Sequence, residues 1–170
     1  MKPIDTYPFS RNRLGWMIVC IGMFLLLWHR TADAAWTVQR HAGTVEGKAN
    51  CHLQSDTKPV NDGYQETHAT LLVRQDAVLV QTAAPLDTSF SDIGMQVDKQ
   101  AFRPMDTVSE RKTALFTSDY AMLIEQFKKG HTVRVQLRFW PTWPVTGTHD
   151  VTFSLIGFTK AYTEMLVCTP

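Results

Sequence analysis

Between Thr132 and Phe139 the chain alternates without a break. Val133, Val135, Leu137 and Phe139 fall on one side, Thr132, Arg134, Gln136 and Arg138 on the other. A helix returns a side chain to the same face every 3–4 residues or so, a strand every second residue, so this segment predicts a strand with one buried and one wet face. A strand needs hydrogen-bonding neighbours, and the rest of the chain offers them. Val151, Phe153 and Leu155 repeat the pattern between Asp150 and Ile156. Ile93, Met95 and Val97 repeat it ahead of Asp98-Lys99-Gln100, a turn sequence. Ala69 to Val73 and Ala77 to Val80 flank Arg74-Gln75-Asp76, which reads as a second hairpin. Trp36 to Arg40 and Thr113 to Thr117 are weaker strand candidates.

Two segments change period. From Asp119 to Lys129, Tyr120, Leu123, Ile124 and Phe127 fall at helical spacing. Ser118 or Asp119 is placed to cap the first turn, Lys128 and Lys129 to complement the negative end, and Gly130 to take a left-handed stop. From Phe158 to Leu166, Phe158, Ala161, Tyr162, Met165 and Leu166 make one apolar stripe, with Gly157 as the joint to the preceding strand. The expected fold is mostly β: an antiparallel β-sandwich with one helix between strands and one C-terminal helix.

The N-terminus obeys another logic. Arg11 and Arg13 precede an apolar run from Trp16 to Trp28, and Ala32-Asp33-Ala34 follows. A basic start, a short greasy core and a small-x-small exit are the pattern of a secretory signal peptide, with cleavage expected after Ala34. A helix over Trp16–Trp28 is only about 20 Å long, short of a bilayer core of about 30 Å. An uncleaved anchor is the alternative, and either reading exports residues 35–170 as one β-rich periplasmic or secreted domain. Removing residues 1–34 takes away four basic and two acidic side chains, so the formal charge passes from +1 to −1. A near-neutral domain carries no electrostatic footprint for nucleic acid, and contact with a membrane is expected only through the N-terminal segment if it stays uncleaved.

Cys51 and Cys168 remain in that domain. An even pair in an exported protein points to a disulfide that ties the last helix to the first strands. A catalytic thiol is disfavoured, because there is no Cys-x-x-Cys and Cys168 lies two residues from the C-terminus.

Other chemistry is sparse. Gly43-Thr44-Val45-Glu46-Gly47-Lys48-Ala49 resembles a phosphate loop. Its spacer is one residue short, and Ala49 stands where a magnesium-binding hydroxyl is needed. Histidines at 41, 52, 68, 131 and 149 make no His-Glu-x-x-His; Glu66 with His68, or His149 with Asp150, could meet a divalent cation, but isolated surface histidines are the better reading. There is no Gly-x-Ser-x-Gly elbow. No catalytic residue, cofactor or metal is therefore expected. Trp140-Pro141-Thr142-Trp143-Pro144 is the best recognition candidate, with two indoles on a backbone stiffened by two prolines. Trp140 and Trp143 either dock a partner or fold back over the end of the sandwich.

Several stretches resemble the invasion-associated locus B family of exported bacterial proteins: Cys51-His52-Leu53-Gln54, Ile93-Gly94-Met95-Gln96-Val97-Asp98, Leu123 to Gly130 and, most specifically, Phe153-Ser154-Leu155-Ile156-Gly157-Phe158-Thr159-Lys160-Ala161-Tyr162. The chain departs from that family in its cysteines: none lies between Arg111 and Ser118, and Cys168 follows the last helix. The resemblance implies a mostly-β envelope domain without known catalysis. The expected role is non-catalytic binding or assembly at the bacterial cell envelope, the partner being an envelope or secretion-system protein. An accessory subunit of a secretion or conjugation apparatus and a periplasmic hydrolase are the alternatives.

Overall fold

The computed structural model describes residues 35–41, 50–141 and 147–168. The proposed signal segment, the Gly43–Ala49 loop and Trp143 lie outside the described residues. In chain order the elements are β1 (Trp36–His41), β2 (Asn50–Ser55), β3 (Lys58–Asn61), β4 (Glu66–Val73), β5 (Val78–Thr82), β6 (Gly94–Val97), β7 (Arg103–Pro104), β8 (Thr107–Ser109), β9 (Thr113–Phe116), α1 (Tyr120–Lys129), β10 (Thr132–Leu137), β11 (His149–Ser154) and α2 (Phe158–Cys168).

One sheet runs β1-β2-β4-β5-β9-β8, with β3 alongside β4; the other runs β11-β10-β6-β7. Every pairing is antiparallel. The alternating segment is the centre of the second sheet. Val135 sits opposite Val151 on one side and Met95 on the other, so its apolar face meets apolar faces in both neighbours. Both expected hairpins form: Val73 pairs Val78 across the Arg74–Ala77 turn, and the Gln100 amide donates to the Val97 carbonyl. Leu71, Val80 and Phe116 of the first sheet share one continuous core with Val133, Leu137 and Phe153 of the second, all fully buried. This is the sandwich-like, mostly-β arrangement expected, with one helix between strands and one at the C-terminal end.

The helices plug that core with aromatics. Phe158 of α2 meets Trp36 and Phe127 edge-on, at ring-centre distances of 5.0 and 5.3 Å. The Trp36 indole N–H donates to the Ser154 carbonyl at 2.9 Å, joining β1 to the end of β11. Leu123, Ile124 and Phe127 are the buried face of α1, and Phe158, Ala161, Tyr162 and Met165 that of α2.

The helix ends differ from expectation. Neither Ser118 nor Asp119 caps α1 through its side chain; Asp119 is left-handed instead, at φ 51°. The entry is held from outside, by Asp106, whose carboxylate accepts the amides of Thr117 and Ser118 at 2.5 and 2.9 Å. Gly130 is extended (φ −83°), not left-handed. Glycine is needed there for space: a Cβ would stand 2.6 Å from Val97 Cγ1 and 3.0 Å from Leu155 Cδ1. Gly157 does take a positive φ, 85°. Leu166 is 45 % exposed and off the buried stripe, because α2 reaches the sheet with a narrower face than its sequence offers. Phe139 leaves β10 and forms an isolated bridge with Leu86. The short strands β3, β7 and β8 had no readable period; their pairing with longer neighbours makes them strands.

Candidate functional site

Asn61-Asp62-Gly63 turns the chain between β3 and β4. Asp62 holds that turn by accepting the amides of Tyr64 and Gln65, both at 2.9 Å, while its own amide donates to the Gln65 carbonyl at 3.0 Å. Gly63 supplies the positive φ, 97°. The result is a braced tip that presents Tyr64, 53 % exposed, to solvent.

Facing it is a second braced wall. The Trp140 amide donates to the Pro85 carbonyl at 2.9 Å, and the Asp87 amide to the Arg138 carbonyl at 2.9 Å. Arg138, almost buried, pairs with Asp92; its Nε lies 3.0 and 3.1 Å from the two carboxylate oxygens. Its guanidinium also covers the ring of Phe90, 4.3 Å from the centroid. The Arg111 carbonyl accepts the Leu86 amide at 2.6 Å, and the Arg111 guanidinium stands 5.9 Å from the Trp140 ring centre. The segments 85–92 and 138–140 are thus sewn together from several directions.

Between the walls lies an open groove of about 510 Å³, with Tyr64, Glu66 and His68 on one side and Pro85, Trp140 and Pro141 on the other. Trp140 is 52 % exposed, so its ring does not cover the core; among the described residues Trp36, only 4 % exposed, is the buried indole. Glu66 and His68 share the outward face of β4, as their spacing implied. Among the described residues no group of three or more His, Cys, Asp or Glu side chains is arranged to hold a metal. Asp150 is paired with Arg134 at 3.0 Å rather than with its neighbour His149.

Cys51 and Cys168 come together as expected. Their sulfurs are at bonding distance and their Cα atoms 6.0 Å apart, which attaches the end of α2 to β2. Beside them a second cleft, of about 640 Å³, has Leu72 and Leu79 in its lining with His52 and Arg74. The His41 and His52 rings stack with centres 5.1 Å apart. Burial, then the nearby charges of His41 and Arg74, holds His52 below the ordinary imidazole value.

Sequence reasoning singled out Trp140 but missed Tyr64, Pro85 and Arg111. The Asp62-Gly63 dipeptide was the available signal for Tyr64, since it marks a tight turn whose next residue sits at a tip. Nothing local marks Pro85 or Arg111, which reach Trp140 only through the fold. No family model, curated protein or solved structure matches the chain.

Proposed function

We propose that this chain is a non-catalytic binding or assembly domain of the bacterial cell envelope, similar in role to the invasion-associated locus B proteins it resembles, and that the groove beside Trp140 engages its partner. One observation carries the reading: two half-exposed aromatic side chains, Tyr64 and Trp140, stand on separately braced walls of one groove. Exposed Trp and Tyr supply large, rigid contact area, and a backbone already braced beneath them loses little freedom on binding. The cysteine pair supports an oxidising compartment, periplasmic or extracellular, in keeping with the signal-like N-terminus.

The test is affinity capture from an oxidising envelope extract with the wild type and Trp140→Ala, followed by cross-linking mapped by mass spectrometry. A partner cross-linked next to Tyr64 or Pro85, and lost with Trp140→Ala, is the expected result. Partners retained in full by Trp140→Ala refute the assignment of the groove. N-terminal sequencing of the mature protein tests export: a start at Ala35 is expected, and a soluble product starting at Met1 contradicts it.

A further inference from the structure

We propose that the groove between Tyr64 and Trp140 takes a cationic side chain, Arg or Lys, of a partner polypeptide. This rests on the binding reading above and names the chemistry of the partner. Charge complementarity selects the occupant. Asp62 and Glu66 stand in the groove lining, which among the described residues includes no Lys or Arg. Asp62 is committed to its turn, accepting two amides. Glu66 is exposed and makes no ion pair among the described residues, so its charge is available. The aromatic faces select in the same direction, because the negative face of an indole or phenol ring attracts a cation. The molecule already uses Trp140 in this way: Arg111, from the turn between β8 and β9, holds its guanidinium 5.9 Å from the ring centre. An incoming cation therefore finds a ring face, an available carboxylate and two fixed walls. An anion would meet the carboxylates of Asp62 and Glu66, with the imidazole of His68 as the basic side chain beside them. The occupant is assigned to a polypeptide because half-exposed Trp and Tyr beside an acidic side chain match the aromatic and arginine anchors of protein interfaces.

The probe is a capped Gly-Arg-Gly-Arg-Gly peptide, titrated into the oxidised protein by calorimetry. Two comparators accompany it: the citrulline peptide, which keeps the shape and removes the charge, and the glutamate peptide. Saturable binding of the arginine peptide is expected, about tenfold tighter than the citrulline peptide, and weakened by about 0.5 M salt. Glu66→Gln and Trp140→Ala should each lower affinity about threefold with the far-ultraviolet spectrum unchanged. Arg111→Ala, which removes a competing cation, should raise it about twofold. No saturable binding of the arginine peptide, equal binding of the citrulline or glutamate peptide, or weaker binding by Arg111→Ala overturns the proposal. In any of those cases, Trp140-dependent capture of a partner would leave the broader binding reading standing, and loss of that capture would remove both.

Discussion

Replacing Cys51 and Cys168 together by Ala removes a link between residues 117 positions apart. In the chain-entropy treatment, closing a loop of that length lowers the entropy of the unfolded chain by about 16 cal/mol/K, or about 5 kcal/mol at 25 °C. The native side of the change is small. Phe158, Ala161, Tyr162 and Met165 stay buried, so α2 keeps its seat on β1 and β2 without the bond. Cys51 is 6 % exposed, and shortening it to Ala leaves a void of about one sulfur, costing about 1 kcal/mol. The effect thus falls mainly on the unfolded state, which sets two signatures for a urea titration followed by circular dichroism and tryptophan fluorescence. Stability should drop by about 5–6 kcal/mol, a large share of the 5–15 kcal/mol or so typical of a domain. The dependence on urea should also steepen, because an unlinked chain exposes more surface on unfolding. The tryptophan bands of the near-ultraviolet spectrum before the transition should not change, apart from loss of the disulfide's own weak contribution. A loss below about 1 kcal/mol, or an unchanged urea slope, refutes the argument. Labelling that finds both thiols free in the native protein as isolated would remove its premise.

Three further outcomes follow from particular contacts. Gly130→Ala should cost about 1–3 kcal/mol in urea unfolding, because its Cβ would meet Val97 Cγ1 at 2.6 Å where α1, β6 and β10 converge. Arg138→Leu strands the Asp92 carboxylate, which is about one-third exposed; a loss of about 2 kcal/mol, with a shifted or more quenchable Trp140 emission, is expected because Arg138 braces that wall. Asp106 is lowered from its ordinary 3.8 to about 2, chiefly by the Ser118 hydroxyl, with help from the Ser118 and Thr117 amides. A carboxyl held low in the folded state stabilises above its unfolded value and loses that contribution as the pH falls through the folded one. Asp106→Ala should therefore cost about 1 kcal/mol near neutrality, discounted because the group is exposed, and almost nothing once the pH is well below 2. Urea midpoints measured across that range check it, and a difference that persists in strong acid counts against it.

The parts of the fold legible in the sequence are those in which one residue's neighbours along the chain decide its burial. Val133, Val135 and Leu137 alternate because β10 lies between two strands and has one face on the core. Leu123, Ile124 and Phe127 recur at helical spacing for the same reason. Residues whose role is set across the fold were read less well. The glycine after α1 looks like a helix stop by position, yet its backbone is extended and what excludes a side chain is Val97, on another strand. The entry to α1 looks self-capped by Ser118 or Asp119, yet Asp106 holds it from the segment before β8. Leu166 matches the apolar stripe of α2, yet it lies at the edge of that stripe and the sheet covers only the narrower face that ends in the fully buried Met165.

The candidate site follows the same division. Trp140 could be singled out because two prolines and two indoles after a clean strand are conspicuous in one dimension. Whether its ring is exposed depends on the Pro85 carbonyl accepting its amide and on Arg138, two residues before it, being anchored by Asp92. Tyr64 reaches the same groove from more than seventy positions away, on a turn fixed by Asp62. The Tyr64 wall is therefore braced locally, the Trp140 wall by residues distant in the chain, and the alignment of the two is set by the fold. This has a consequence for how the groove fails. Loss of the Asp62 turn should disturb Tyr64 and leave the Trp140 wall, whereas loss of Arg138 should release Trp140 and leave the turn. A partner that needs both rings will lose affinity either way, so binding alone cannot distinguish the two lesions, but the emission of Trp140 responds mainly to the second.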